Sequence, residues 1–150
     1  MTYQPADPQY EQRVRDSFAR QAVMHTLNIS LTRVSPGAVE LTMPFQQALT
    51  QQHGFIHAGV ISTILDSACG YAAFSLMPSD AAVLSIEFKV NLLSPAIGER
   101  FRARGAVKKA GRTITVTEGE LIAVRGEQEK LVATLVGTMM TVRGREGVQG

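Results

Sequence analysis

Residues 51–66, QQHGFIHAGVISTILD, decide how the chain is read. Two of the chain's three histidines, His53 and His57, stand here four residues apart, directly before an apolar run. In that run Ile61, Ile64, Leu65, Ala68 and Ala72 fall at helical spacing and make one stripe. Ser62, Asp66, Cys69, Gly70 and Ala73 make a neighbouring stripe of small side chains. With so few long polar side chains, the spacing predicts a helix buried on most sides. It begins near Ala58 and Gly59 and ends before Pro78.

On either side of this helix the pattern changes. Residues 1–9 contain Pro5 and Pro8 and read as a loose arm. From Tyr10 to about Thr26, Val14, Phe18 and Ala22 recur at helical spacing, which predicts a short amphipathic helix. NISLTRV and AVELTMPF read as two strands joined at Ser-Pro-Gly, and QQALTQQHG as a polar loop. Beyond the central helix everything reads as strand. AVLSIEFKVNLL alternates, with Leu84, Ile86, Phe88, Val90 and Leu92 on one face and Ser85, Glu87, Lys89 and Asn91 on the other. RFRARGAVKKA, TITVTEGELIAV and KLVATLVGTMMTV complete four strands, and residues 144–150 read as a frayed tail. Hairpin joints predict an α+β fold, with an antiparallel sheet wrapped around one long central helix, over residues 10–143.

Composition excludes several classes. A chain of 150 residues with 45% hydrophobic and 19% charged residues supports one globular domain. A formal charge of +2 makes no case for nucleic acid. No apolar run is long enough to span a bilayer, and the first residues lack the apolar core of a secretory signal. The single cysteine, Cys69, forbids a disulfide within the chain and suits a reducing, cytoplasmic setting. It reads as a packing residue rather than a nucleophile.

The quoted stretch admits three readings. As a metal site, His53, His57 and Asp66 are weak: Gly54 interrupts the pair and no glutamate stands between the histidines. As structure, His57 caps the helix and Asp66 is a hydrogen-bonded buried acid. As chemistry, the first N–H groups of a helix lack internal partners and carry partial positive charge, so Ala58 N–H, with Gly59 N–H beside it, suits an oxyanion. Asp66 lies nine residues past His57, roughly 13 Å along a helix and half a rotation away. One chain does not bring the two together, whereas two antiparallel helices do, which predicts a site shared across a dimer.

HGFIHAGVISTILDSACGYAA resembles the motif of hotdog-fold acyl-CoA thioesterases of the phenylacetate-pathway type, and the likeness runs over residues 25–143. Gln51, Gly54, His57, Ala58, Gly59 and Asp66 fall at the motif's positions. Gln51 stands where the family has asparagine, and Ala58 replaces the first glycine of a pair. LSIEFKVNLLSPAIGE and KKAGRTITVTEGEL are similar to the family's strands. The resemblance implies that Asp66 is the general base or nucleophile for hydrolysis of a thioester, and that Ala58 N–H polarises its carbonyl. It implies that His57 and Gln51 position water or thioester and that Ser85 assists the water. Coenzyme A would lie along Leu92, Ser94 and Pro95 and along Lys109, Gly111 and Arg112, with Lys109 and Arg112 near the phosphates. Lys109 and Arg112 also read as ordinary solvated strand-end charges. No metal or redox cofactor is implied, and the unit is a homodimer or homotetramer. Two other functions fit the same fold: a dehydratase acting on 3-hydroxyacyl thioesters, and a non-catalytic acyl-CoA binding protein.

Overall fold

The computed structural model describes residues 2–150. The central helix, α3 (Ala58–Phe74), lies across an antiparallel sheet of six strands. Two short helices, α1 (Tyr10–Arg20) and α2 (Ala22–Thr26), precede β1 (Ser30–Ser35) and β2 (Ala38–Pro44). After α3 come β3 (Ala81–Leu92), β4 (Arg100–Ala110), β5 (Ile114–Arg125) and β6 (Gln128–Arg143). The strand order is β1-β2-β4-β5-β6-β3, so β1 and β3 are the edges. This is the hotdog arrangement. Among the described residues no helix is long and apolar enough to cross a membrane.

The close seating of α3 comes from a pair of glycines. Gly105 of β4 and Gly119 of β5 are cross-strand partners. A Cβ on Gly105 would lie 2.3 Å from the Ala68 carbonyl carbon, and one on Gly119 would lie 2.9 Å from Cys69 Sγ. The helix backbone therefore rests almost on the sheet backbone, which only small residues on both sides permit. Ile64, Leu65 and Phe74 of α3 are fully buried against Leu41, Phe101, Leu121 and Met139 of the sheet. The predicted apolar stripe packs on the sheet, whereas in the small-residue stripe Cys69, Gly70 and Ala73 are buried and Ser62 and Asp66 only half-buried.

Several expectations need correction. The first helix breaks at Gln21, whose backbone is extended, and Met24 rather than Ala22 continues the buried stripe begun by Val14. The predicted loop before α3 contains a single 3-10 turn at Gln47–Leu49. Residues 2–9 pack on the body: Tyr3 donates to the Lys108 carbonyl oxygen, and Asp7, 8% exposed, pairs with Arg13 at 3.1 Å. Arg13 also donates to the carbonyls of Phe74, Met77 and Pro78. The last carbonyls of α3 and its following turn lack helical partners, so this guanidinium serves as their cap and ties the arm down. Residues 144–150 likewise fold back onto the domain, where Arg20 donates to Gly150 O at 2.9 Å.

The correction with most consequence is in β3. Its pairing with β6 slips between Ser85 and Glu87, so that Ile86 forms a bulge. Ser85 is opposite Met139, whereas Phe88 and Val90 are opposite Gly137 and Leu135. Buried Met139 and Leu135 lie on the helix side of the sheet. The extra residue thus puts Ser85 on the same face as Phe88 and Val90, not on the opposite face that strict alternation predicts.

Candidate active site

The start of α3 is built by a tight loop. Gln51 N–H donates to Phe55 O at 2.8 Å, Gly54 N–H to Gln51 O at 3.0 Å, and His57 N–H to Leu49 O at 2.9 Å. His57 is the N-cap, with an extended backbone, and its Nδ1 accepts from Gly59 N–H at 2.8 Å. Accepting at Nδ1 places the ring proton of the neutral imidazole on Nε2. The bond also corrects the expectation of two backbone donors: Gly59 N–H is already engaged. Ala58 N–H, by contrast, has no acceptor among the described residues. The Gln51 side-chain oxygen accepts from His53 N–H, which turns that amide back onto its own loop. His53 itself is exposed, with its ring near Phe55.

Eight residues further along α3, about 12 Å away, Asp66 is half-buried. The Ser85 hydroxyl donates to Asp66 Oδ1 at 2.7 Å. Burial pushes the Asp66 carboxyl above its ordinary range, and the Ser85 bond pulls it partly back. A carboxyl raised in this way binds a proton more readily than an exposed one, which suits a general base. Cys69, one turn on, is fully buried, and burial pushes its thiol up to about 12. It offers no thiolate for nucleophilic chemistry.

These residues fall into two hollows on one chain. Asp66 and Ser85 line one of about 410 Å³. Gln51 and Ala58 line another of about 330 Å³, together with Leu92, Ser94 and Pro95. The second hollow is closed underneath by Ile56 N–H, which donates to Ala96 O and ties the loop before α3 to the loop after β3. His57 is exposed and lines neither hollow. Lys109, Gly111 and Arg112 lie exposed at the β4–β5 turn. Register places that turn far from Leu92: Ile114 pairs with Met140, which pairs with Leu84. The turn is thus at the Asp66–Ser85 end of the sheet. From Ser85 to Leu92 is roughly 23 Å of strand, so one chain does not bring the two predicted coenzyme A segments together.

The structure adds residues to the Asp66 hollow that sequence reasoning did not single out. Ser67 donates to Gln21 Oε1 at 3.4 Å, and Tyr71 stands 3.5 Å from the Ser17 hydroxyl with its ring edge-on to Phe18. Residues 147–150 close the same hollow. Ser67 and Tyr71 were legible as polar positions one and five residues past Asp66. Nothing in the sequence marks the tail as part of the wall.

Comparison with known proteins agrees with the fold. The family model of the thioesterase superfamily matches residues 53–130, from the loop before α3 to the start of β6. A crystal structure of a thioesterase family protein from Silicibacter pomeroyi is 58% identical, covers 90% of this chain and 99% of its own, and superposes with a TM-score of 0.89. The Escherichia coli PaaI protein from the phenylacetic acid degradation operon shares the fold at 20% identity, with 96% and 98% of the two chains covered and a TM-score of 0.82. A Halobacterium salinarum protein named "Putative esterase" is 33% identical over 97 residues, 61% of this chain and 64% of that protein's length. With its helix-on-sheet core, and a superfamily match over more than half its length, the chain is a hotdog-fold member of the thioesterase superfamily.

Proposed function

We propose that the protein hydrolyses acyl-CoA thioesters in the cytoplasm, in active sites formed between two copies of the chain. The observation that carries this reading is the half-buried Asp66 carboxylate held by Ser85 in an open hollow, with its proton affinity raised. An oxyanion donor is the missing component, and the unpaired Ala58 N–H supplies one at a distance a single helix does not bridge. The edge strand β3 provides the means. Ile86 and Phe88 are 51% and 43% exposed, and one side of the strand has no neighbouring strand among the described residues. Antiparallel pairing of two β3 edges about a two-fold axis places the Leu92 end of one beside the Leu84 end of the other. The Ala58 hollow of one subunit then meets the Asp66 hollow of its partner. The same pairing unites Leu92, Ser94 and Pro95 with the partner's Lys109, Gly111 and Arg112 along one coenzyme A.

In this arrangement Asp66 takes a proton from water, whose orientation Ser85 assists. The water oxygen bonds to the thioester carbonyl carbon. The partner's Ala58 N–H stabilises the oxyanion, with the exposed Nε2–H of His57 and the Gln51 amide near the substrate's entry. The carbon–sulfur bond then breaks, and the proton held on Asp66 passes to the departing thiolate. The products are a carboxylic acid and free coenzyme A, and no step calls for a metal or redox cofactor.

The test is release of coenzyme A from a panel of acyl-CoAs, read with a thiol reagent, for wild type and Asp66→Ala. Turnover that falls by about a hundredfold or more in a folded variant supports the reading. Unchanged turnover removes Asp66 from the mechanism, and tight binding without turnover on any substrate makes the protein a binding module. The shared site has its own test. Asp66→Asn and Ala58→Pro chains, each inactive alone, regain about a quarter of wild-type activity when mixed as refolded dimers, because half the dimers carry one intact site.

A further inference from the structure

We infer that residues 147–150 form the end wall of the acyl pocket and so set how long an acyl group the enzyme accepts. The inference rests on the acyl-CoA reading above and concerns the same hollow.

The hollow runs along α3. Asp66 and Ser85 stand at one end, Phe74 and the tail at the other. From Asp66 to Phe74 is eight residues, about 12 Å of helix. An acyl group whose thioester carbon sits at Asp66 therefore extends past Gly70 and Tyr71 and meets the tail next. Three contacts fix that tail. Arg20 donates to Gly150 O at 2.9 Å. Gly150 presses on the domain so closely that a Cβ there would lie 2.4 Å from Ala81 O and 2.6 Å from Phe74 Cζ. Val148 N–H closes a turn onto Arg145 O at 3.1 Å, with Gly144 and Gly147 at φ +62° and +76° reversing the chain. Val148, more buried than its neighbours, lines the hollow itself.

The other walls belong to α1, α3 and β3 and are held by the core. The tail wall lies outside every strand, and among the described residues its one side-chain hydrogen bond to the body comes from the exposed Arg20. It is therefore the wall whose change alters pocket length without altering the catalytic groups. Loosening it lengthens the pocket, and thickening it shortens the pocket.

The experiment measures kcat/KM for straight-chain acyl-CoAs of increasing length, by coenzyme A release, with melting curves in parallel. Four proteins are compared: the full chain, Arg20→Ala, Val148→Trp, and a chain ending at Arg143. The shortened chain raises the ratio of long-chain to short-chain kcat/KM by about tenfold or more, the scale set by single methylenes in an apolar pocket. Arg20→Ala moves the ratio the same way by less, and Val148→Trp moves it the opposite way. If the shortened chain does not fold, the two full-length variants decide. An unchanged ranking in all variants overturns the inference, as does an equal rise for every length, which would make the tail a cover rather than a length gauge. A full chain with no turnover on any acyl-CoA removes the thioesterase reading, and this inference with it.

Discussion

The first turn of α3 and its middle are parts of one helix under opposite demands. In the first turn His57 and Gly59 are exposed, and the chemically useful group is a backbone N–H with no acceptor among the described residues. In the middle, Ala68, Cys69 and Ala72 are fully buried, the helix touches the sheet backbone at Gly105, and these side chains serve packing. Asp66 stands between these regimes, with enough burial to raise its proton affinity and enough opening to reach a substrate. The difference teaches that the packed middle holds the two reactive ends at a fixed separation. That separation is too long for one chain, which is why the proposed site is shared between two.

The comparison breaks most completely if the middle is disturbed. Gly105→Val puts side-chain atoms into the Ala68 backbone, which has no room to yield, and costs about 3 kcal/mol or more. Urea denaturation reads the loss, and an unchanged midpoint would show that α3 is free to lift from the sheet.

Disturbing the first turn leaves the fold intact and removes only chemistry. Proline is well tolerated at the first helical position, and His57, at φ −62° and ψ 141°, already has the extended backbone a following proline requires. Ala58→Pro therefore deletes one N–H and little else. Steady-state kinetics should show kcat reduced by about 10²–10³-fold with the circular dichroism spectrum preserved. Wild-type turnover in this variant would rule out Ala58 N–H as the oxyanion donor.

Asp66→Asn should lose at least about a hundredfold in turnover yet melt at a higher temperature at pH 7. Its sign follows from linkage. The folded state holds the Asp66 proton more tightly than the unfolded chain, so this group's contribution is full below the unfolded value and is lost as pH rises through the folded one. A neutral amide escapes that loss. Its advantage disappears below about pH 3.9, where aspartate is protonated in both states. Calorimetry at both pH values decides, and a lower melting temperature at pH 7 would show that the charged form of Asp66 stabilises the fold.

Ser85→Ala has the smallest effect, about tenfold in kcat/KM, the value of one hydrogen bond to a charged group. It also has a signature of its own. The Ser85 bond lowers the proton affinity of Asp66, so its removal moves the acid limb of the pH profile upward. An acid limb that stays in place would assign the limb to another group.

Much of this was legible before any coordinates. The stripe Ile61–Ile64–Leu65–Ala68–Ala72 and its small-residue neighbour mark α3 and foretell a close approach, because helix periodicity is local and small side chains are directly readable. Asp66 on that buried face stands out because a lone carboxylate there calls for a partner or a use. Ser85 was harder. Alternation assigned it to the wrong face, since a one-residue bulge leaves no mark in a run as regular as SIEFKV. The engaged Gly59 N–H was half legible: a His57 cap is one of the sequence readings, but which N–H it takes depends on one side-chain rotamer. Arg13's bonds to the end of α3 and Arg20's bond to the tail join residues more than sixty positions apart, beyond any local pattern.

The sequence by itself determined the period of each element, the small-residue faces and the spacing of His57, Ala58 and Asp66, because these follow from the order of side chains along a regular backbone. Tertiary structure alone decided which of those residues meet. Strand register set the face of Ser85, the edge position of β3 left it open to a second chain, and the helix seated on paired glycines placed the two hollows. Those outcomes depend on packing between distant segments, where the free energy of burial selects one arrangement among many that local pattern allows.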